Sequence, residues 1–95
     1  IGKDIIYLKS ELHYVRVVTT GGESLVLFNL RDAVADLEKS VQGIQTHRSY
    51  WVSGTHIKTM VSEKDRKFIL TLNDEKVPVS RRKAAAARRF IKTLA

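Results

Sequence analysis

Two short segments of the sequence place basic and hydroxyl side chains directly beside an apolar stretch. In the first, residues 46–53, the side chains of His47, Arg48 and Ser49 are consecutive, and the aromatic and β-branched run at residues 50–52 is typical of a short strand. A guanidinium and a hydroxyl held at a strand end could donate to phosphate oxygens or to base edges. Ordinary surface residues beside a core strand are an equally good interpretation of this segment alone.

A second segment repeats the arrangement near the end of the chain. Residues 77–79 are apolar, Ser80 supplies a hydroxyl, and three basic residues follow it. All 10 acidic side chains lie within residues 1–75, which are electrically balanced, so the whole net charge of +7 belongs to residues 76–95. Such an acid-free segment favours a polyanion as partner (DNA, RNA or an anionic membrane), although a solvated basic helix face is the common alternative.

Catalysis and metal binding have no support in the sequence. The chain has no cysteine, which excludes a disulfide framework, a thiolate nucleophile and zinc bound through Cys. No spacing among His13, His47 and His56 would place two of them on one helix face as metal ligands, and no nucleophile elbow or Gly-rich phosphate loop occurs. We therefore expect no enzyme activity, no cofactor, no metal and no small-molecule substrate.

The first half of the chain is predicted to hold three strands and one helix. Strands are indicated at residues 4–8, 13–19 and 23–28, with a polar turn at residues 9–12 and a glycine hairpin at residues 20–22. Asn29 is typical of a helix N-cap, and the helix should run about three turns and end near Gly43. Its apolar stripe is formed by Leu30, Val34, Leu37 and Val41.

The second half continues with short strands and closes with a helix. Strands are predicted at residues 56–61, 67–72 and 76–79, after the central segment at residues 44–52. Pro78 lacks an N–H group, so its strand should lie at a sheet edge or end its pairing there. A helix should begin near Arg82, and its apolar stripe needs a partner surface, for which a dimer face is one interpretation. That stripe comprises Ala87, Phe90, Ile91 and Leu94.

About seven short strands and two helices, without a repeat, linker or second domain, predict a single mainly β domain over residues 1–95. Tyr14, Tyr50 and Trp51 are interpreted chiefly as core residues.

The chain starts without Met, so we expect it to be an excised piece of a longer protein. No apolar run approaches the roughly 20 residues of a membrane span.

Three motifs in this order resemble the LytTR family of bacterial DNA-binding domains. They are "HRSY-V" at residues 47–52, "PVSRR" at residues 78–82, and the pattern of residues 6–15 with its Ile-Tyr-Leu strand, Ser10, Glu11 and His13. The resemblance covers about residues 4–90. It implies an elongated stack of small antiparallel sheets, with one short helix mid-chain and a C-terminal helix. Two positions depart from the motif: Ser53 stands where relatives often have Asn, and Trp51 where they often have an aliphatic residue.

The resemblance also implies which residues contact DNA, through loops inserted into successive major grooves. Carried over motif by motif, the base-contacting residues are His13, Arg48 and Arg81. The residues expected at the DNA backbone are Lys9, Ser10, Ser49, Ser80, Arg82 and Lys83. Other roles stay open: His13 could cap a turn, Arg48 could pair with a carboxylate, and His47 could be buried and hydrogen-bonded.

The implied partner is double-stranded DNA carrying an imperfect direct repeat at a promoter, bound by two protomers of a cytoplasmic response regulator in a two-component system. A segment before Ile1 could tether such a regulator to the membrane. The alternatives are a non-specific RNA- or polyanion-binding module, and a protein-interaction or membrane-surface module using the basic C-terminal helix. Sequence preference for duplex DNA separates these possibilities, whereas salt dependence does not.

Overall fold

The computed structural model describes residues 4–94, which form eight strands, two α-helices and one short 3-10 turn. In chain order they are β1 (Ile5–Glu11), β2 (Tyr14–Thr19), β3 (Gly22–Leu27), α1 (Leu30–Leu37), β4 (Gly43–His47), β5 (Tyr50–Ser53), the 3-10 turn (Gly54–His56), β6 (Ile57–Glu63), β7 (Arg66–Thr71), β8 (Lys76–Val79) and α2 (Arg81–Thr93).

The strands form two antiparallel sheets. The larger has the order β3-β2-β1-β5-β4 and the smaller the order β6-β7-β8. The body measures 33 × 27 × 22 Å. The predicted fold class, a mainly β stack of antiparallel sheets with a mid-chain and a C-terminal helix, is confirmed. The central segment accounts for the eighth strand, because it is divided into β4 and β5 by a turn at Arg48 and Ser49.

Two apolar cores hold the sheets and helices together. In the first, Leu30 and Val34 of α1 cover Leu8, Val15 and the fully buried Trp51 of the larger sheet. The second lies between the two sheets and α2, and its buried members are Val52, Ile69, Val77, Val79 and Ala87. Full burial of one such aliphatic or aromatic side chain contributes about 1.5–3 kcal/mol. The first core therefore holds α1 on the larger sheet, and the second fixes the two sheets relative to each other.

The predicted turn at residues 9–12 is wrong, because β1 continues through Lys9 and Ser10 to Glu11. The polar residues pair with β2 instead of turning, and the guanidinium of Arg16 on β2 bonds to the Glu11 carboxylate. The actual turn consists of Leu12 and His13 alone. His13 is therefore a turn residue and not the first residue of a strand.

The mid-chain helix is shorter than predicted. Asn29 does cap it, since its side-chain oxygen accepts from the Asp32 N–H at 2.8 Å. The helix ends at Leu37, and Val41 reaches the first core from the connection that follows. The indole N–H of Trp51 donates to Glu38 at 3.1 Å, which ties the end of the helix to the sheet.

Three further expectations concern packing. Pro78 lies on β8, an edge strand of the smaller sheet, as predicted. Tyr14 was expected in the core but is 45% exposed, because the part of β2 next to the turn is uncovered. The apolar stripe of α2 packs on its own domain: Ile91 joins the second core, and Phe90 and Leu94 lie beside Gly54. The stripe therefore has a partner surface within its own domain, and its interpretation as a dimer face stays a prediction.

Candidate nucleic-acid interface

Three connections between elements lie at the same end of the molecule. Lys9 pairs with Tyr50, and the Ser10 N–H donates to the Ser49 carbonyl at 2.8 Å, so the end of β1 lies beside the turn that joins β4 to β5. The Ser80 N–H donates to the Thr46 carbonyl at 2.9 Å, which brings the start of α2 to that turn as well. Each connection carries one of the sequence motifs.

The β1–β2 turn presents Leu12 and His13, both exposed. Arg16 on β2 stabilises this turn. Its guanidinium bonds to the carboxylate of Glu11 at the end of β1 and to that of Glu23 on β3, the latter at 2.7 Å. These ion pairs raise the pKa of Arg16 above its ordinary value, chiefly through the hydrogen bond to Glu11. The hydrogen bond from Arg16 is likewise the main reason that the pKa of Glu11 is lowered. The turn is therefore held by groups that stay charged at neutral pH.

The β4–β5 turn presents Arg48, which is exposed and, within residues 4–94, has no carboxylate partner in an ion pair. The Ser49 N–H donates to Nδ1 of His47 at 3.1 Å, so Nδ1 is unprotonated and Nε2 is the donor nitrogen. His47 also packs edge-on against Tyr50, at 5.8 Å between ring centroids. His47 is half-buried and hydrogen-bonded, and it holds the turn that displays Arg48.

Aromatic packing supports this turn from below. Tyr7 lies 6.2 Å from Tyr50, and the ammonium of Lys9 lies 5.8 Å from the centre of the Tyr50 ring. Burial, together with the negative charge of Glu75, raises the pKa of Tyr7 to about 12. Tyr7 is therefore a neutral phenol at any physiological pH, and it serves as packing beneath the cationic surface.

The start of α2 concentrates positive charge. Arg81, Arg82 and Lys83 occupy its first turn and are exposed, and that turn has no acidic residue. The side chain of Ser80 makes no capping hydrogen bond, so the hydroxyl is available to another acceptor or donor. The positive end of the helix dipole adds to these cations and favours an anion such as phosphate.

Two shallow depressions lie on the surface between the β4–β5 turn, the start of α2 and the β6–β7 hairpin. One holds Arg48 together with the start of α2 and is lined by Gln45, His47, Arg48, Ser80, Arg82, Lys83 and Ala86. The other extends from Arg81 to the β6–β7 hairpin and is lined by His47, Asp65, Arg66, Lys67, Phe68, Pro78, Val79, Ser80 and Arg81. Predicted site residues from two motifs thus share one surface, whereas His13 lies on the neighbouring β1–β2 turn.

The β6–β7 hairpin is the part of this surface that sequence reasoning missed. Arg66 and Lys67 line the same depression as Arg81, because Lys67 on β7 pairs with Val79 at the end of β8. The sequence indicates only the strands on either side of this hairpin, and Glu63 and Asp65 balance the charges of Lys64 and Arg66 between them. The consecutive cations Arg66 and Lys67 were the available sequence signal, and their place beside Arg81 follows only from the pairing of β7 with β8.

Within the described residues, no cluster of three or more His, Asp or Glu side chains could hold a metal ion. Between residues 4 and 94, neither helix is both long and apolar enough to cross a membrane.

A family model described as the LytTr DNA-binding domain matches residues 2–92 of the chain. Among solved structures, the fold is similar to the LytTr DNA-binding domain of a Bacillus cereus protein described as a methyl-accepting/DNA response regulator, with a TM-score of 0.81. That alignment covers 95% of this chain and 83% of the other at 24% sequence identity, so it is evidence for the fold. A search of curated proteins found no match.

Proposed function

This chain belongs to the LytTR family of DNA-binding domains, and from that premise we propose that it binds double-stranded DNA sequence-specifically to regulate transcription. LytTR domains are DNA-binding domains of response regulators, a non-catalytic role. What is proposed here is the finer assignment: which residues contact bases, which contact phosphates, and how the DNA is arranged.

One observation carries the proposal: unpaired cations from two separate motifs share a surface at the end of the sheet where the β1–β2 turn also lies. Arg48 and Arg82 line one depression, and Arg81 lines the next. Because these side chains have no carboxylate partner among the described residues, binding DNA does not require an existing ion pair to break.

The chemistry of each side chain decides whether we assign it to a base edge or to the DNA backbone. Exposed arginines match the O6 and N7 acceptors of guanine, and a histidine can donate or accept at a base edge, so we assign base contacts to His13, Arg48 and Arg81. Hydroxyls, lysines and helix-start N–H groups suit phosphates and set the register of the protein on the duplex. We assign the DNA backbone to Lys9, Ser10, Ser49, Ser80, Arg82 and Lys83.

We further propose that two protomers bind an imperfect direct repeat at a promoter. A single protomer presents three short connections, which limits it to a short half-site. Two copies in the same orientation would read two such half-sites. This arrangement rests on the family resemblance, because the described chain is a single copy.

The test is a selection from random DNA duplexes with the purified domain at near-physiological salt. Enrichment of a short motif that occurs twice in the same orientation is expected, and its spacing would give the arrangement of the two protomers. Salt-sensitive binding without an enriched motif would contradict the proposal and favour a non-specific polyanion-binding module.

RNA binding is the less favoured alternative. Sequence-tolerant recognition of unpaired bases needs exposed aromatic side chains on which bases stack. In the "HRSY-V" motif, Trp51 is fully buried and Tyr50 is half-buried between His47 and Tyr7, so neither of these two rings is open for a base to stack on. Binding of the selected duplex should therefore be stronger than binding of single-stranded RNA of the same sequence.

A further inference from the structure

Leu12 is the most exposed large hydrophobic residue in the described part of the chain, at 98% of its full accessible surface. It occupies the two-residue turn between β1 and β2, immediately before His13. Its backbone has a φ of 53°, in the left-handed region where Gly, Asn and Asp are favoured and a leucine is uncommon. A residue that neither packs nor suits its backbone conformation is unexpected at a turn chosen for stability alone.

The turn is placed to meet the same ligand as the arginines. Ser10, two residues before Leu12, donates to the carbonyl of Ser49, the neighbour of Arg48. Arg16 bonds to Glu11 directly behind the turn, so the backbone that carries Leu12 is held in place. The side chain of Leu12 therefore extends from a braced turn at the end of the sheet where Arg48 and Arg81 are displayed.

From this placement we infer that Leu12 contacts the 5-methyl group of a thymine in the major groove and so adds a specificity determinant beside His13. The inference rests on the proposed function. Thymine alone presents a methyl group on the major-groove edge, and the distinguishing groups of the other bases there are hydrogen-bond donors and acceptors. An apolar side chain cannot hydrogen-bond to a base edge, so the methyl group is the major-groove feature that it distinguishes best.

The experiment removes the methyl group from the DNA and the leucine from the protein separately. Each thymidine of the selected duplex is replaced in turn by deoxyuridine, which lacks only the methyl group, and affinity is measured. Loss of one buried methyl group corresponds to about a fourfold decrease in affinity. We expect such a decrease at one thymine per half-site for the wild-type domain, and none at that position for Leu12→Asn.

Two variants distinguish a structural role of Leu12 from a contact between Leu12 and DNA. Leu12→Asn places a residue favoured at positive φ, so it should raise the thermal midpoint while abolishing the thymine preference. Leu12→Met keeps an apolar side chain and should retain the preference. Leu72→Ala is the matched control, because Leu72 is 57% exposed but follows Thr71, at the far end of β7 from Lys67.

Three outcomes would overturn the inference. A wild-type domain that tolerates deoxyuridine at every position makes no methyl contact. If Leu12→Asn keeps the wild-type ratio of thymine to uracil affinity, a residue other than Leu12 makes the contact. Both results leave sequence-specific DNA binding intact. A selection that enriches no motif would instead overturn the proposed function, and the contact of Leu12 with it.

Discussion

The hydroxyl of Thr46 donates to the carbonyl oxygen of Pro78 at 2.9 Å, across 32 positions of sequence. Thr46 is fully buried on β4 of the larger sheet, and Pro78 lies on β8 of the smaller one. A second bond, from the Ser80 N–H to the Thr46 carbonyl, joins the same two segments. Together they fix how far the turn that carries Arg48 lies from the start of α2.

Replacing Thr46 by Val is expected to weaken both the fold and DNA binding. The change keeps the shape of the side chain but leaves the partly buried Pro78 carbonyl without this partner, at a cost of about 1–3 kcal/mol in the free energy of unfolding. Urea unfolding and duplex affinity measured on the same protein provide the check, with the exposed Thr59→Val as control. Unchanged affinity in a destabilised variant would show that this bond does not position the interface.

Removing Arg81 should alter specificity and not only affinity. A bidentate contact to guanine contributes about 1–3 kcal/mol of discrimination, so Arg81→Ala should lose that preference at one base pair of each half-site. Arg88→Ala is the comparison, since Arg88 lies on the exposed side of α2 and should weaken all sequences alike. Affinities for single-base variants of the selected duplex would test this. If Arg81→Ala kept the full preference, Arg81 would be assigned to phosphate.

Gly43 should not tolerate a side chain. A Cβ atom there would lie 2.1 Å from Cζ2 of Trp51 and 2.6 Å from the Val52 carbonyl oxygen, and the buried indole has no space to move. Overpacking of this kind typically costs about 1–3 kcal/mol, so Gly43→Ala should lower the thermal midpoint clearly. Gly21→Ala is the control, because the nearest atom to its Cβ is the Thr19 hydroxyl at 3.9 Å.

The ion pair behind the β1–β2 turn predicts a particular pH dependence. Arg16 lowers the pKa of Glu11 below its ordinary 4.5, so the contribution of Glu11 to stability is present above that value and is lost as pH falls through the lowered pKa. Glu11→Gln should therefore be less stable than wild type at neutral pH and equally stable in acid. Thermal midpoints of both proteins between about pH 7 and pH 3 provide the measurement. A gap that persists in acid would assign the effect to packing.

The sequence predicted the strands and turns of this molecule better than the contacts between residues far apart in the chain. Alternating apolar residues located most of the strands, and the missing N–H group of Pro78 correctly predicted an edge strand. The length of β1 was missed because a polar run can form either a turn or an exposed strand, and the Arg16–Glu11 pair selects the strand. The shared surface of Arg48 and Arg82 was unpredictable from composition, since it depends on the bond between Thr46 and Pro78. The contact roles of His13, Arg48 and Arg81, and the expectation of one domain from a longer regulator, stay predictions.

The uneven distribution of charge along the chain affects how the domain approaches DNA before it binds. Residues 1–75 are electrically balanced, and the net charge of +7 belongs to the last strand and helix. A molecule with such a distribution experiences a torque in the field of a polyanion, so it approaches with the start of α2 foremost. Fewer encounters are then wasted in wrong orientations, and the association rate with DNA should fall steeply as added salt screens the field.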